Sequence, residues 1–229
     1  MRNNQQYSSP TYMDAGWQAG MSQRVFDTRV LPLFGFGLLM TATAAYLGRN
    51  LPFGILIAAM IGELILVFTA GIWQRKELGS LNIGLYFLLT GLSGLTLIPL
   101  LQWANLRSGP MLIAQALAVT GITFGALMAY SLITKRDFSG WGGFLVAACI
   151  GLIIAMLVNV FIGGSTFSLI ISCFGVVIFS GFVLYDMSLI KGQLSDADYI
   201  MAAIMLYLNF IGMFTHILRI LGIMGSSDD

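Results

Sequence analysis

From Phe138 to Tyr185 the chain carries no charged side chain. A transmembrane helix needs ~20 mostly apolar residues to cross ~30 Å of hydrocarbon, so this run is too long for one crossing and right for two, joined by a tight turn at Gly163-Gly164-Ser165. The rest of the 229-residue chain agrees, being 58% hydrophobic and 9% charged, with a mean hydropathy of +0.88. A water-facing shell needs charge at roughly a quarter of its positions, which 11 basic and 10 acidic residues do not supply. The sequence therefore describes an all-α polytopic membrane protein whose first partner is the lipid bilayer. Barrel strands would alternate apolar with polar residues over ~10 positions, and these runs do not alternate. A net charge of +1 leaves no basic field for a polyanion, which excludes nucleic acid as a partner.

Charge positions divide the chain into seven spans. The first runs from Val30 to Leu47, between Arg29 and Arg49, and the second from Phe53 to Trp73, interrupted only by Glu63. The third covers Leu81 to Leu101, and the fourth runs from Pro110 to Leu132, ended by Lys135, Arg136 and Asp137. The fifth and sixth flank the Gly163-Gly164 turn. After a polar hinge from Lys191 to Asp198, the seventh covers Tyr199 to Leu221. Three parts follow: a polar N-terminal arm (1–29), a seven-helix transmembrane domain (30–222) and a short polar tail (223–229). Lysine and arginine set the expected orientation. A cytoplasmic N-terminus places Arg2, Arg24, Arg29, Arg75, Lys76, Lys135, Arg136 and Lys191 on the cytoplasmic side and only Arg49, Arg107 and Arg219 opposite. An odd number of spans then puts the C-terminus outside.

The arm has no basic region leading directly into a short apolar one, so no cleaved signal peptide is expected. No prenylation box or retrieval signal marks the C-terminal Ser-Ser-Asp-Asp, and a bacterial plasma (inner) membrane is the expected location. The 27 glycines imply closely approaching helices. Cys149 and Cys173 lie within apolar runs and read as inert hydrophobes.

Ionisable side chains inside a bilayer are costly, and they mark functional sites when they face the bundle interior. Asp186 either ends the sixth helix at the interface or lies ~10 Å inside it, if the helix continues to Leu194. Glu63, ~15 Å into the second span, reads either as a hydrogen-bonded structural carboxyl or as part of an ion path. Arg75 and Lys76 close the same helix, where positive charge suits both its dipole and the lipid headgroups. In the seventh span Asp198, Ala202, Met205, Asn209, Gly212, His216 and Arg219 recur at three- and four-residue steps and share one face. Asn209 falls mid-membrane, placed to bond to another helix. His216, the only histidine, has no ligand cluster beside it, so no tight metal site and no cofactor are expected.

No enzymatic activity is expected either. The chain has no H-E-x-x-H, no G-x-S-x-G and no phosphate-cradling loop. Tyr185-Asp186 matches one half of an intramembrane aspartyl protease, but the seventh span offers no aspartate beyond Asp198 to complete a dyad. That span has no lysine for a retinal Schiff base.

Tyr185-Asp186, the stretch Leu206-Tyr207-Leu208-Asn209-Phe210-Ile211 and the ending Leu218-Arg219-Ile220-Leu221-Gly222 resemble prokaryotic members of the transmembrane Bax inhibitor motif family. Ser93 to Pro99, Asp137-Phe138-Ser139-Gly140-Trp141 and Val158-Asn159 extend the resemblance, in order and spacing, over nearly the whole chain. The resemblance implies a central seventh helix wrapped by the other six, and a pH-dependent leak of Ca²⁺ down its gradient. It also implies a gate made by two aspartates, from the sixth and seventh helices, with an arginine at the cytoplasmic end of the second able to bond to them. Asp186 matches the first aspartate and Arg75 the arginine, while Asn209 stands in place of the second aspartate.

That departure has a physical consequence. Two carboxylates in contact cannot both ionise easily and so form a proton-operated latch, whereas an asparagine does not titrate. Any pH switch is therefore expected to be weakened or displaced to lower pH. Ca²⁺ prefers several oxygen ligands, so Asp186 with neutral oxygens makes a transient site rather than a tight one, and Glu63 and His216 are candidates for the ion path.

A second reading belongs to another class. It is a non-conducting membrane interaction protein that modulates a membrane protease or the stress or cell-death machinery, with a membrane protein partner docked through Tyr7, Tyr12 and Trp17 of the arm. Metabolite transport would usually bring broken helices or repeat symmetry, neither of which the sequence displays.

Overall fold

The computed structural model describes residues 20–73 and 80–225. These residues contain no strand, and seven of their helices are long and apolar enough to cross a membrane. They are α1 (Gln23–Asn50), α2 (Phe53–Ile72), α3 (Leu81–Ser108), α4 (Pro110–Ile133), α5 (Ser139–Ile162), α6 (Ser165–Gly192) and α7 (Asp196–Met224). The turn between α5 and α6 falls at Gly163 and Gly164, whose φ values of +69° and +101° lie in the region that glycine enters without a Cβ penalty.

Several helices overrun the limits set by charge. A charged residue ends an apolar run, but it does not end the backbone hydrogen bonding of a helix, and its side chain can reach the interface from within the last turn. Thus α3 continues past Leu101 to Ser108, α7 past Leu221 to Met224, and α1 begins at Gln23 rather than after Arg29. Ser22 caps α1 by accepting from the Val25 N–H at 3.4 Å, and the Arg29 guanidinium lies 5.3 Å from the centroid of the Tyr199 ring.

Part of the expected polar arm is therefore built into the bundle. Met21 and Phe26 are fully buried, and the Met21 N–H donates to the Ile190 carbonyl at 3.1 Å. The Ser22 N–H and hydroxyl donate to the Asp196 carboxylate at 2.7 and 3.0 Å. The remainder of the arm, with Arg2, Tyr7, Tyr12 and Trp17, lies outside the described residues, as does the end of the tail from 226 onward.

The seventh helix is central, with 67% of its 18-residue apolar stretch buried. It packs against α6, α4, α3 and α1, while α2 packs chiefly on α3 and α5 chiefly on α6. The arrangement is thus four inner helices around one, with α2 and α5 as outer helices, and it departs from the six-around-one wrapping implied by the resemblance. The outer helices present large apolar side chains such as Phe68 and Phe161 to their surroundings, as lipid-facing helices do. Because lipid is as apolar as leucine, close packing rather than hydrophobic transfer holds the inner helices together. Phe34, Phe124 and Phe210 pack with ring centroids 5.3 to 5.7 Å apart and join α1, α4 and α7.

Candidate functional site

Asp186 lies in the interior. Because α6 runs unbroken to Gly192, the carboxylate sits six residues before the helix end, ~9 Å along the axis, rather than at the interface. It is 5% exposed, as is Asn209 on α7, and the Asn209 amide donates to Asp186 Oδ2 at 2.6 Å. Val183, Met187 and Ile190 are fully buried around this stretch of α6. A hydrogen bond to a charged group contributes ~1.5–3 kcal/mol, and a carboxylate left in this apolar seam without one would be costly.

The structure thus joins two of the three residues assigned to the gate. Arg75 lies outside the described residues. Five residues beyond Asp186, Lys191, in the last turn of α6, donates to the Ser131 carbonyl at 2.5 Å and faces the Thr134 carbonyl at 3.4 Å. Lysine thereby satisfies carbonyls that α4 leaves open at its C-terminus.

His216 is not in contact with the pair. It lies seven residues beyond Asn209 on α7, ~10 Å away along the axis. Its ring is 4% exposed and fits where Gly175 of α6 has no side chain; a Cβ there would meet the imidazole. Phe179 lies tilted against the same ring, with centroids 5.7 Å apart, and fills the space left by Gly212. The α6–α7 seam therefore has a carboxylate–amide pair toward one end, an aromatic residue fitted onto glycine in the middle and an imidazole toward the other end.

Glu63 belongs to another cluster. The hydroxyls of Ser93 and Thr96 on α3 donate to its two oxygens, Thr96 at 2.7 Å. The Tyr207 hydroxyl of α7 makes a separate contact, with Thr41 of α1 at 2.7 Å. Tyr207 and Asn209 are two residues apart, roughly 200° around the helix, so the contact with Thr41 and the bond to Asp186 lie on opposite sides of α7.

Sequence reasoning did not assign roles to Ser93, Thr96, Thr41 and Tyr207. The three-residue spacing of Ser93 and Thr96 put them on one face of α3, but nothing in the sequence said that α2 would cover that face. The expected stripe on α7 also reads differently in space. Asp198 is exposed and accepts from the Ser195 N–H and hydroxyl at 2.9 and 2.6 Å, capping the helix. Ala202, Asn209 and His216 are buried, but so are Ala203, Tyr207 and Phe210 on other faces. A helix buried nearly all round has no single interior stripe.

These features define the class: a polytopic α-helical membrane protein whose central helix is tied to its neighbours by polar pairs within the membrane-spanning region. The family model described as inhibitor of apoptosis-promoting Bax1 matches residues 23–226, and the chain belongs to this Bax inhibitor family. An uncharacterized membrane protein of Vibrio cholerae is 44% identical over 144 residues, covering 62% of this chain and 64% of that protein. A Deinococcus radiodurans protein is 33% identical over 86% of this chain and 90% of its own length. The Golgi anti-apoptotic protein of vaccinia virus is 34% identical over 73% of this chain and 68% of its own length.

Proposed function

We propose that the protein is a gated leak for cations, Ca²⁺ most concretely, with Asp186 as the gate residue and Asn209 and Arg75 as its partners. The observation that carries this reading is the buried bond between Asp186 and Asn209, which ties the central helix to α6 inside the bundle. A carboxylate in such a place attracts a cation, and a neutral amide releases it readily, as conduction through a weak site requires. Lysine and arginine positions favour a cytoplasmic N-terminus and an outside C-terminus in a bacterial plasma membrane. With Asn209 in place of a second carboxylate, the gate responds weakly to pH. Ca²⁺ flux through proteoliposomes, compared with Asp186→Asn, tests the assignment: flux that is the same in both overturns it.

A non-conducting interaction protein is the second reading. The name of the vaccinia relative, anti-apoptotic, and the single carboxylate of the pair favour it. Removal of residues 2–19 separates the two readings, since a leak survives it and an adaptor that docks through the arm loses its partner.

A further inference from the structure

On the outside of the bundle, packing does not close the face between α5 and α6. A groove of about 580 Å³ runs between the two helices, lined from Trp141 to Ala155 on α5 and from Phe167 to Gly181 on α6, which is ~21 Å along each axis. Leu145, Leu152 and Ile171 are buried and form its floor, while Phe144, Phe174 and Val177 stand exposed along its rims. The space is open because Ala148, Gly151 and Ala155 supply no bulk on the α5 side. Glycine in a transmembrane helix commonly admits a neighbouring backbone, but a Cβ at Gly151 would meet nothing, so here the small residue leaves room instead.

Its width and its ends select an occupant. Spread over ~21 Å, that volume leaves a slot roughly 6 Å across. A hydrocarbon chain, whose carbons meet their neighbours at ~4 Å, fits such a slot lengthwise, whereas a helix with its side chains is ~10–12 Å across and does not enter it. Apart from the Trp141 indole at one end, every lining side chain is apolar or a glycine, so nothing along the slot asks for a polar partner. The Trp141 end is different. Its ring packs edge-on against Phe138 at 5.2 Å, and the Phe138 N–H donates to Ser188 Oγ at 3.0 Å, which holds the connector 134–138 against the end of α6. Lys135 and Arg136 of that connector are exposed, and among the described residues neither side chain bonds to another. Asp137, the acid beside them, turns both carboxylate oxygens to Ser139. Tryptophan together with uncommitted cations is the chemistry of the lipid headgroup level.

We infer that the α5–α6 groove is a binding site for an anionic phospholipid, with one acyl chain laid along Leu145, Leu152 and Ile171 and the headgroup phosphate at Lys135 and Arg136. The slot complements the tail and the two cations complement the head. A lipid seated there fixes the outer helix α5 against α6 in place of side-chain contact. The groove lies on a different face of α6 from Gly175 and Asp186, which meet α7, so the site does not depend on the leak reading.

Tryptophan fluorescence of the full chain in phosphatidylcholine bilayers tests the site, with the Trp141 contribution taken as the difference between wild type and Trp141→Phe. Phosphatidylglycerol brominated on its acyl chains is expected to quench that contribution at a several-fold lower mole fraction than equally brominated phosphatidylcholine. Lys135→Gln combined with Arg136→Gln should remove the preference, and Gly151→Leu, which fills the slot where an added Cβ meets nothing, should weaken quenching by the anionic lipid. Equal quenching by the two lipids in wild type overturns the proposal. A preference that survives the double substitution overturns the headgroup site, and one that Gly151→Leu leaves untouched overturns the groove. Energy transfer between donor- and acceptor-labelled copies at high lipid dilution, lost in Gly151→Leu, would give the groove to a second copy of the chain and overturn the lipid. Lys135 and Arg136 are exposed, so their variant keeps the fold and decides the matter even where Gly151→Leu does not. The readout needs no ion flux, so its failure is distinct from failure of the leak.

Discussion

Asp186 and Asn209 are chemically unequal, and substitution shows this in opposite ways. Asp186→Asn leaves two amides that can still bond across α6 and α7, so its cost in stability is expected to stay below about 1 kcal/mol. Asn209→Leu leaves the carboxylate in an apolar seam without its donor, and a loss of ~1–3 kcal/mol is expected, read as a lower midpoint of thermal unfolding in the same detergent. Equal losses for the two variants would mean that the bond contributes little. At this scale the site is partly legible in the sequence. Position in the spans singles out Asp186, Asn209 and Glu63, and the resemblance supplies the pairing of the first two. The donors to Glu63 were illegible because a hydroxyl's partner is set by the rotation of one helix against another, which periodicity along a single helix does not encode.

At the scale of elements, the close approach of α1 and α3 depends on Gly94. A Cβ at that position would meet the Thr41 carbonyl and Ala44, and backbone cannot swing aside as a side chain can. Gly94→Ala is therefore expected to cost ~1–3 kcal/mol by forcing α1 away from α3, measured by thermal unfolding, whereas Gly84→Ala, where the added Cβ meets nothing, should be tolerated. The start of α5 is fixed by Asp137, which accepts from the Ser139 N–H and from its hydroxyl, both at 2.8 Å. The backbone N–H first and then the hydroxyl hold its carboxyl below the usual carboxylate range. A lowered value in the folded state gives stability that is complete above the ordinary aspartate value and fades as pH falls through the lowered one. Asp137→Asn should flatten that acid limb of a stability–pH curve, and an unchanged limb would assign it to other carboxylates. Element boundaries were the least legible feature of the sequence. Arg29 and Arg107 end apolar runs while their helices continue around them, and the docking of Met21 and Ser22 onto Ile190 and Asp196 is a contact between residues far apart in the chain.

For the whole molecule, long charge-free runs sufficed to read the number of spans, because crossing hydrocarbon imposes a length that no packing detail can alter. The division into inner and outer helices was only partly legible: α2 and α5 are more apolar than the helices that flank them in the chain, but the inner α6 is as apolar as α2, and tertiary contact separates those two. What the bundle makes of this is a central helix held on two faces, by Asp186 through Asn209 and by Thr41 through Tyr207. Motion of α7 relative to α6 has to break the first tie, and on the proposed reading that motion opens the path for a cation. The account's central claim concerns that tie, so the most direct measurement is Ca²⁺ uptake into proteoliposomes from acid to neutral pH, for wild type, Asp186→Asn and Asn209→Asp in parallel. A weak leak with little pH dependence is expected from wild type, with a steep titration appearing in Asn209→Asp and a loss of flux in Asp186→Asn. Three preparations indistinguishable from empty liposomes would contradict the leak, and a steep wild-type titration that Asp186→Asn abolishes would contradict the role given to Asn209.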